Sequence, residues 1–269
     1  MSPSISGPPA APAVTVPYAE SSFGYLLHPT IQLPDKNPRI AVIGVGTVYF
    51  LKEVASHLPE TADLHGFETS IDYPDHSLNL PRNIKLHTAN LLLDFPAEYH
   101  GTFDVVTVKL LVSTLVGNDW SFVTKSLTKL LKPGGWLQWQ EPDSVRNTTV
   151  SEDGIKVEKS GLQAFLNGAF TDKSVYDKFD YPLRHLESIF NEAGIYSLVK
   201  EVVSSDKQPY LRYNAALLDL HELVLVMKRG NSGKRYTQEE LNPGLKRCLE
   251  DLESGIYQKY NLLCFIGRK

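Results

Sequence analysis

Between residues 39 and 141 the chain alternates short β-branched or apolar runs with stretches of helical spacing. The segments "RIAVIG" (39–44), "ADLHGFE" (62–68), "NIKLHTA" (83–89), "FDVVTVKLLV" (103–112) and "WLQWQE" (136–141) read as strands. Helices are predicted over 47–58, closed by Pro59, and over 119–132, where Leu127, Leu130 and Leu131 share a face. "PGG" at 133–135 turns the chain into its fifth strand. Strands separated by helices predict an α/β fold with a parallel sheet covered on both faces.

After Glu141 the rhythm changes. Residues 155–170 and 183–194 have helical patterns, the second stopped by Gly194, and "YSLVKEVVSS" (196–205) reads as a sixth strand. A helix is predicted over 210–228 and another over 243–253, before the closing strand "NLLCFIGRK" (261–269). These helices exceed what the strands need as connections. Cap elements around 151–194 and 208–253 therefore form a lid over a ligand site or offer a homodimer interface. Residues 1–17, rich in Pro, Ser and Ala, read as a disordered arm before a domain spanning 18–269, which opens on a short helix stopped by Pro29.

Composition narrows the partners. The net charge is -4 and no basic stripe stands out, which argues against nucleic acid. No signal-peptide pattern opens the chain and no apolar run reaches the ~20 residues of a membrane helix. Cys248 and Cys264 read as buried thiols, and the histidines share no metal-ligand spacing. A cytoplasmic protein acting on a small hydrophobic molecule is expected.

The sharpest local signal is Gly44-Val45-Gly46-Thr47, between the first strand and its helix. Glycines there let backbone N–H groups approach a ligand closely. Glu68 closes the second strand about 20 residues on, the position of a ribose-binding acid in dinucleotide-type sites or simply of a solvated acid. With "VIGVGTVYFLKEVA", "LHGFETS", "FDVVTVKLLV", "LKPGGWLQWQE" and "FIGRK", the chain from about residue 38 onward resembles class I S-adenosylmethionine (SAM) methyltransferases, notably small fungal enzymes of secondary metabolism.

The resemblance implies a Rossmann-like fold with a seven-stranded, mostly parallel sheet whose last strand is antiparallel. It implies that Gly44, Gly46 and Thr47 form the cofactor loop, that Glu68 takes the ribose hydroxyls, and that Asn90 and Leu91 flank the adenine. The family pattern acid-x-G-x-G-x-G is broken at Val42 and Val48. Valine can neither brace the loop nor face a cationic methionine end. Overpacking at Val48 would cost ~1–3 kcal/mol. Some related proteins have turned from methylation to pericyclic ring closure, which needs no cofactor. The expectation is a natural-product cyclase of that kind, Diels–Alder type included. A SAM-dependent O- or N-methyltransferase and an inactive regulatory partner are its alternatives.

Ligands in open α/β sheets bind beyond the carboxyl ends of the strands. Lys109 and Glu141 lie there, Lys109 as a donor to a substrate carbonyl or as an ion-pair partner of Glu141. On the helix over 210–228, His221 shares a face with Leu218 and Leu225, as a pocket donor or base or as a satisfied core histidine. Tyr213 and Tyr210 precede it and are candidates to line the same cavity. Trp120 and Trp139 read as core.

Overall fold

The computed structural model describes residues 23–46, 48–69, 80–230 and 234–269. The arm over 1–17 and the loop residue Thr47 lie outside them.

Seven strands form one sheet in the order β3-β2-β1-β4-β5-β7-β6. They are β1 (Arg39–Ile43), β2 (Asp63–Glu68), β3 (Ile84–Thr88), β4 (Phe103–Lys109), β5 (Leu131–Ser151), β6 (Tyr196–Ser204) and β7 (Ile256–Arg268). All run parallel except β7, which pairs antiparallel with both β5 and β6. This is the topology implied by the resemblance. Among the described residues six α-helices accompany them: α1 (Tyr49–Ser56), α2 (Asp119–Leu130), α3 (Gly161–Thr171), α4 (Lys173–Glu192), α5 (Arg212–Arg229) and α6 (Gln238–Glu253).

Strand alternation sorts the core into two layers. Ala41, Ile43, Phe67, Val108 and Trp139 pack beneath α2 to α6, where Trp120 and Trp139 lie with ring centroids 5.5 Å apart. Ile40, Val42, Leu64 and Val105 face the other way, beneath α1 and the segment 26–33. Gly66 makes that second layer possible. A Cβ there would fall 2.7 Å from Val45 and 2.9 Å from Leu51, closer than side chains tolerate. The segment 24–33 is irregular rather than helical, because the Gln138 side chain binds its backbone, accepting from His28 N–H (2.7 Å) and donating to the Leu26 carbonyl (2.9 Å).

Several boundaries differ from expectation. The helix expected from residue 155 starts at Gly161, capped by Ser160, because Ile155 and Val157 first fold back onto β5. The helix expected from 183 starts at Lys173, capped by Asp172, and carries Pro182 in its interior. α6 starts at Gln238 rather than Pro243, on a Thr237–Glu240 capping box that satisfies two end donors reciprocally. β5 runs on to Ser151 and β7 begins at Ile256, giving a ribbon interrupted by a bulge between Asp143 and Thr148. Of the expected cap, α3 packs on α6, whereas α4 lies along β5 as a sheet-covering helix.

Candidate functional site

Beyond β1 the chain turns through Gly44 (φ 70°) and Gly46 (φ 54°), both in the left-handed region that glycine enters without a Cβ penalty. Gly44 N–H donates to the Phe67 carbonyl at 2.9 Å, tying the loop to β2. Glu68 completes the tie. Its Oε2 accepts from Gly46 N–H at 3.1 Å, and its Oε1 accepts from the Thr69 amide at 2.8 Å and hydroxyl at 3.0 Å. A Cβ on Gly46 would meet no described heavy atom within 4 Å. Asn90 is exposed and closes its own turn by accepting from Leu92 N–H at 2.9 Å, while Leu91 is buried.

The valines that break the glycine pattern do not stand in that space. Val42 and Val48 pack with Leu26, Val45, Leu51 and Val54 in the layer behind the loop, and Val48 is 0% exposed. Val48 has φ 65°, where glycine is relaxed and a β-branched residue is strained by about 1–3 kcal/mol. Its place in the apolar layer offsets that strain. Among the described residues nothing fills the space before Gly46, and the Glu68 carboxylate beside it offers a pair of acceptor oxygens. A carboxylate at position 42 is missing from this set.

Lys109 and Glu141 project to opposite faces of the sheet. Lys109 pairs in register with Gln140, so the next residue, Glu141, points the other way. Lys109 Nζ lies 3.1 Å from the Phe50 ring centroid. Glu141 is 1% exposed; its Oε1 accepts from Leu111 N–H (2.9 Å) and Trp139 Nε1–H (2.7 Å), and its Oε2 from Val112 N–H (3.2 Å). Burial outweighs these three hydrogen bonds and pushes its pKa up to about 7. Glu141 thus pins the turn after β4, where Leu110 holds φ 55°.

α5 crosses the carboxyl edge of the sheet. Its first half, with Ala215, packs against β7 on one face, and its second half, from Leu220 to Met227, joins the main core on the other. At the crossing Asp219, 4% exposed, accepts from the Ser144 hydroxyl of β5 through Oδ1. The buried Gln258 side chain of β7 faces the same carboxylate. Burial pushes the Asp219 carboxyl up to about 6. The Leu218–His221–Leu225 stripe is only half-buried, at the margin of the helix contact. Tyr213 and Tyr210 are exposed. The buried titratable group of α5 is Asp219, which sequence reading passed over. Its signal was present, since Ala215, Ala216 and Leu223 flank it at helical spacing.

No protein-family model matches the chain. Among curated proteins it is 36% identical over 123 residues to the methyltransferase grgD of a Penicillium species, covering 44% of this chain and 43% of that protein. It is 32% identical over 136 residues to the N-methyltransferase verN of Clonostachys rogersoniana, covering 50% and 47%. The matched stretch thus spans less than half of each relative. Among solved structures it resembles the Haemonchus contortus phosphoethanolamine N-methyltransferase 2 in complex with SAM (16% identity, TM-score 0.48, 89% of this chain and 50% of that one). It also resembles the [4+2]-cyclase SpnF (14% identity, TM-score 0.48, 87% and 75%). Among the described residues, no helix is long and apolar enough to cross a membrane.

Proposed function

We propose that the chain is a class I SAM-dependent methyltransferase that methylates a small, largely apolar natural product. In this reading the Gly44 and Gly46 loop and Glu68 hold SAM, which supplies an electrophilic methyl group. The main support is the packing of Val42 and Val48 behind the loop, which leaves the space before Gly46 free of described neighbours. Glu68 exchanges its bond to Gly46 N–H for the ribose diol, an exchange of one hydrogen-bond partner for others at little net cost. The two relatives bearing methyltransferase names support the same chemistry.

On the substrate side, Glu141 holds the turn after β4 in place and the cap excludes water. Methyl transfer asks little more of a protein than alignment, which can lower a barrier by as much as ~7–11 kcal/mol in favourable cases. Asp219 and His221 stand on the helix that crosses this edge, as proton acceptors for an O–H or N–H nucleophile. Incubation with SAM and a panel of fungal phenols, amides and carboxylic acids tests the reading. A product 14 Da heavier, formed together with S-adenosylhomocysteine, is expected for at least one acceptor.

A second reading has its own observation. Val42 leaves no carboxylate to face the cationic end of SAM, and a protein that only folds a polyene for pericyclic closure, of Diels–Alder type, needs none. It predicts a cyclised product of unchanged mass, formed equally well without SAM.

A further inference from the structure

Among the described residues, Lys178 is a buried cation with no hydrogen-bond partner. Its side chain, on α4, is 7% exposed, and Nζ makes no hydrogen bond to any described residue. Two charged groups face it from the neighbouring elements: Arg229 in the last turn of α5 and Asp119 in the first turn of α2. Neither neutralises it. Asp119 accepts from the Val116 amide at 3.1 Å, and Arg229 donates to the Ser113 carbonyl at 3.1 Å while adding a second positive charge. Val112 and Leu115 after β4, Val175 and Phe179 on α4, and Val226 and Met227 on α5 belong to the same buried core. This corner therefore sits on the turn beyond β4, at the carboxyl edge of the sheet where ligands of open α/β folds bind.

A buried, uncompensated ammonium destabilises a fold, and mutual repulsion with Arg229 adds to the cost. Burial and Arg229 push the Lys178 pKa down to about 8, so at neutral pH the group is still mostly charged. The two cations and one carboxylate sum to a single positive charge, so one anionic oxygen would complete the set.

We infer that Lys178, with Arg229 beside it, forms the subsite that receives an anionic oxygen of the substrate, a carboxylate, enolate or phenolate. This names the substrate class for the cap side and rests on the proposed reading of that side as the substrate side.

Calorimetric titration with sodium benzoate, and with neutral benzamide as control, tests it between pH 6.5 and 9.5. Benzoate binding should be level below the Lys178 pKa and fall about tenfold per pH unit above it, because only the ammonium form accepts the anion. Benzamide binding should not change with pH. Lys178→Met should weaken benzoate at least tenfold and flatten its pH profile. Lys178→Arg should keep benzoate affinity and remove the alkaline fall. Lys178→Met should also melt a few degrees higher without ligand, as expected when a buried charge is removed. A lower melting temperature, benzoate bound no better than benzamide, or a pH profile that survives in Lys178→Met would each overturn the inference. S-adenosylhomocysteine titrated into the same samples separates the two claims. If it binds while benzoate does not, only the subsite fails; if benzoate alone binds, only the cofactor reading fails.

Discussion

The glycine loop and the cap side sit on the same carboxyl edge and manage polar groups in opposite ways. At the loop, Gly46 and Glu68 stay accessible and bond each other in the open, while apolar bulk is stowed behind them. On the cap side the charges are buried: Glu141 with both oxygens engaged, Asp219 between Ser144 and Gln258, and Lys178 with no hydrogen-bond partner among the described residues. An accessible polar group exchanges partners cheaply. A buried one is either locked into the fold or waiting for a ligand. The loop therefore suits a cofactor that comes and goes, and the cap side suits recognition of one chemical class.

The largest effect should come from placing a charge behind the loop. Val42→Asp should destabilise the protein by roughly 3–5 kcal/mol in urea denaturation, because the new carboxylate would stand unpaired among Leu26, Leu51 and Val54. A neutral effect would mean that position 42 opens to the cleft, which would erase the contrast between the two regions.

Glu141→Ala should follow at about 3 kcal/mol, since three donors lose their acceptor in the interior. Glu141→Gln sharpens this through pH. The folded-state pKa of about 7 lies above the ordinary 4.5, so the folded protein holds a proton that the unfolded chain releases. The stability this contributes is full below pH 4.5 and is lost as pH rises through about 7. Wild type should thus lose on the order of 3 kcal/mol across that window relative to Glu141→Gln, read by urea midpoints at a series of pH values. Parallel profiles would mean that Glu141 is not the titrating group.

Smallest is Gly46→Ala, at about 1 kcal/mol of stability, because the added Cβ meets only the backbone penalty of φ 54° and no described neighbour. A larger loss would mean that the space before the loop is filled.

The loop was readable in the sequence because close backbone approach demands glycine and leaves a mark in residue type. The parallel strands were readable because burial on both faces makes their runs apolar. The second half of β5 and the first half of β7 were not, since Arg146, Asn147, Gln258 and Lys259 carry polar side chains on a ribbon built by cross-strand pairing. The early part of α4 was hidden by Pro182 and by charged residues that resemble a loop. Sequence pattern also placed Lys109 and Glu141 together. One residue of register puts them on opposite faces, and register is a long-range property. Sequence reading singled out neither Asp219 nor Lys178; the crossing of α5 and the packing of α4 bury them.

The central claim is that the open loop still takes the cofactor. Calorimetry of S-adenosylhomocysteine with wild type and Glu68→Ala tests it most directly. Roughly micromolar binding to wild type, weakened ~10- to 100-fold in Glu68→Ala with little change in melting temperature, is the predicted result. A folded wild-type protein that gives no binding heat at millimolar ligand would contradict it.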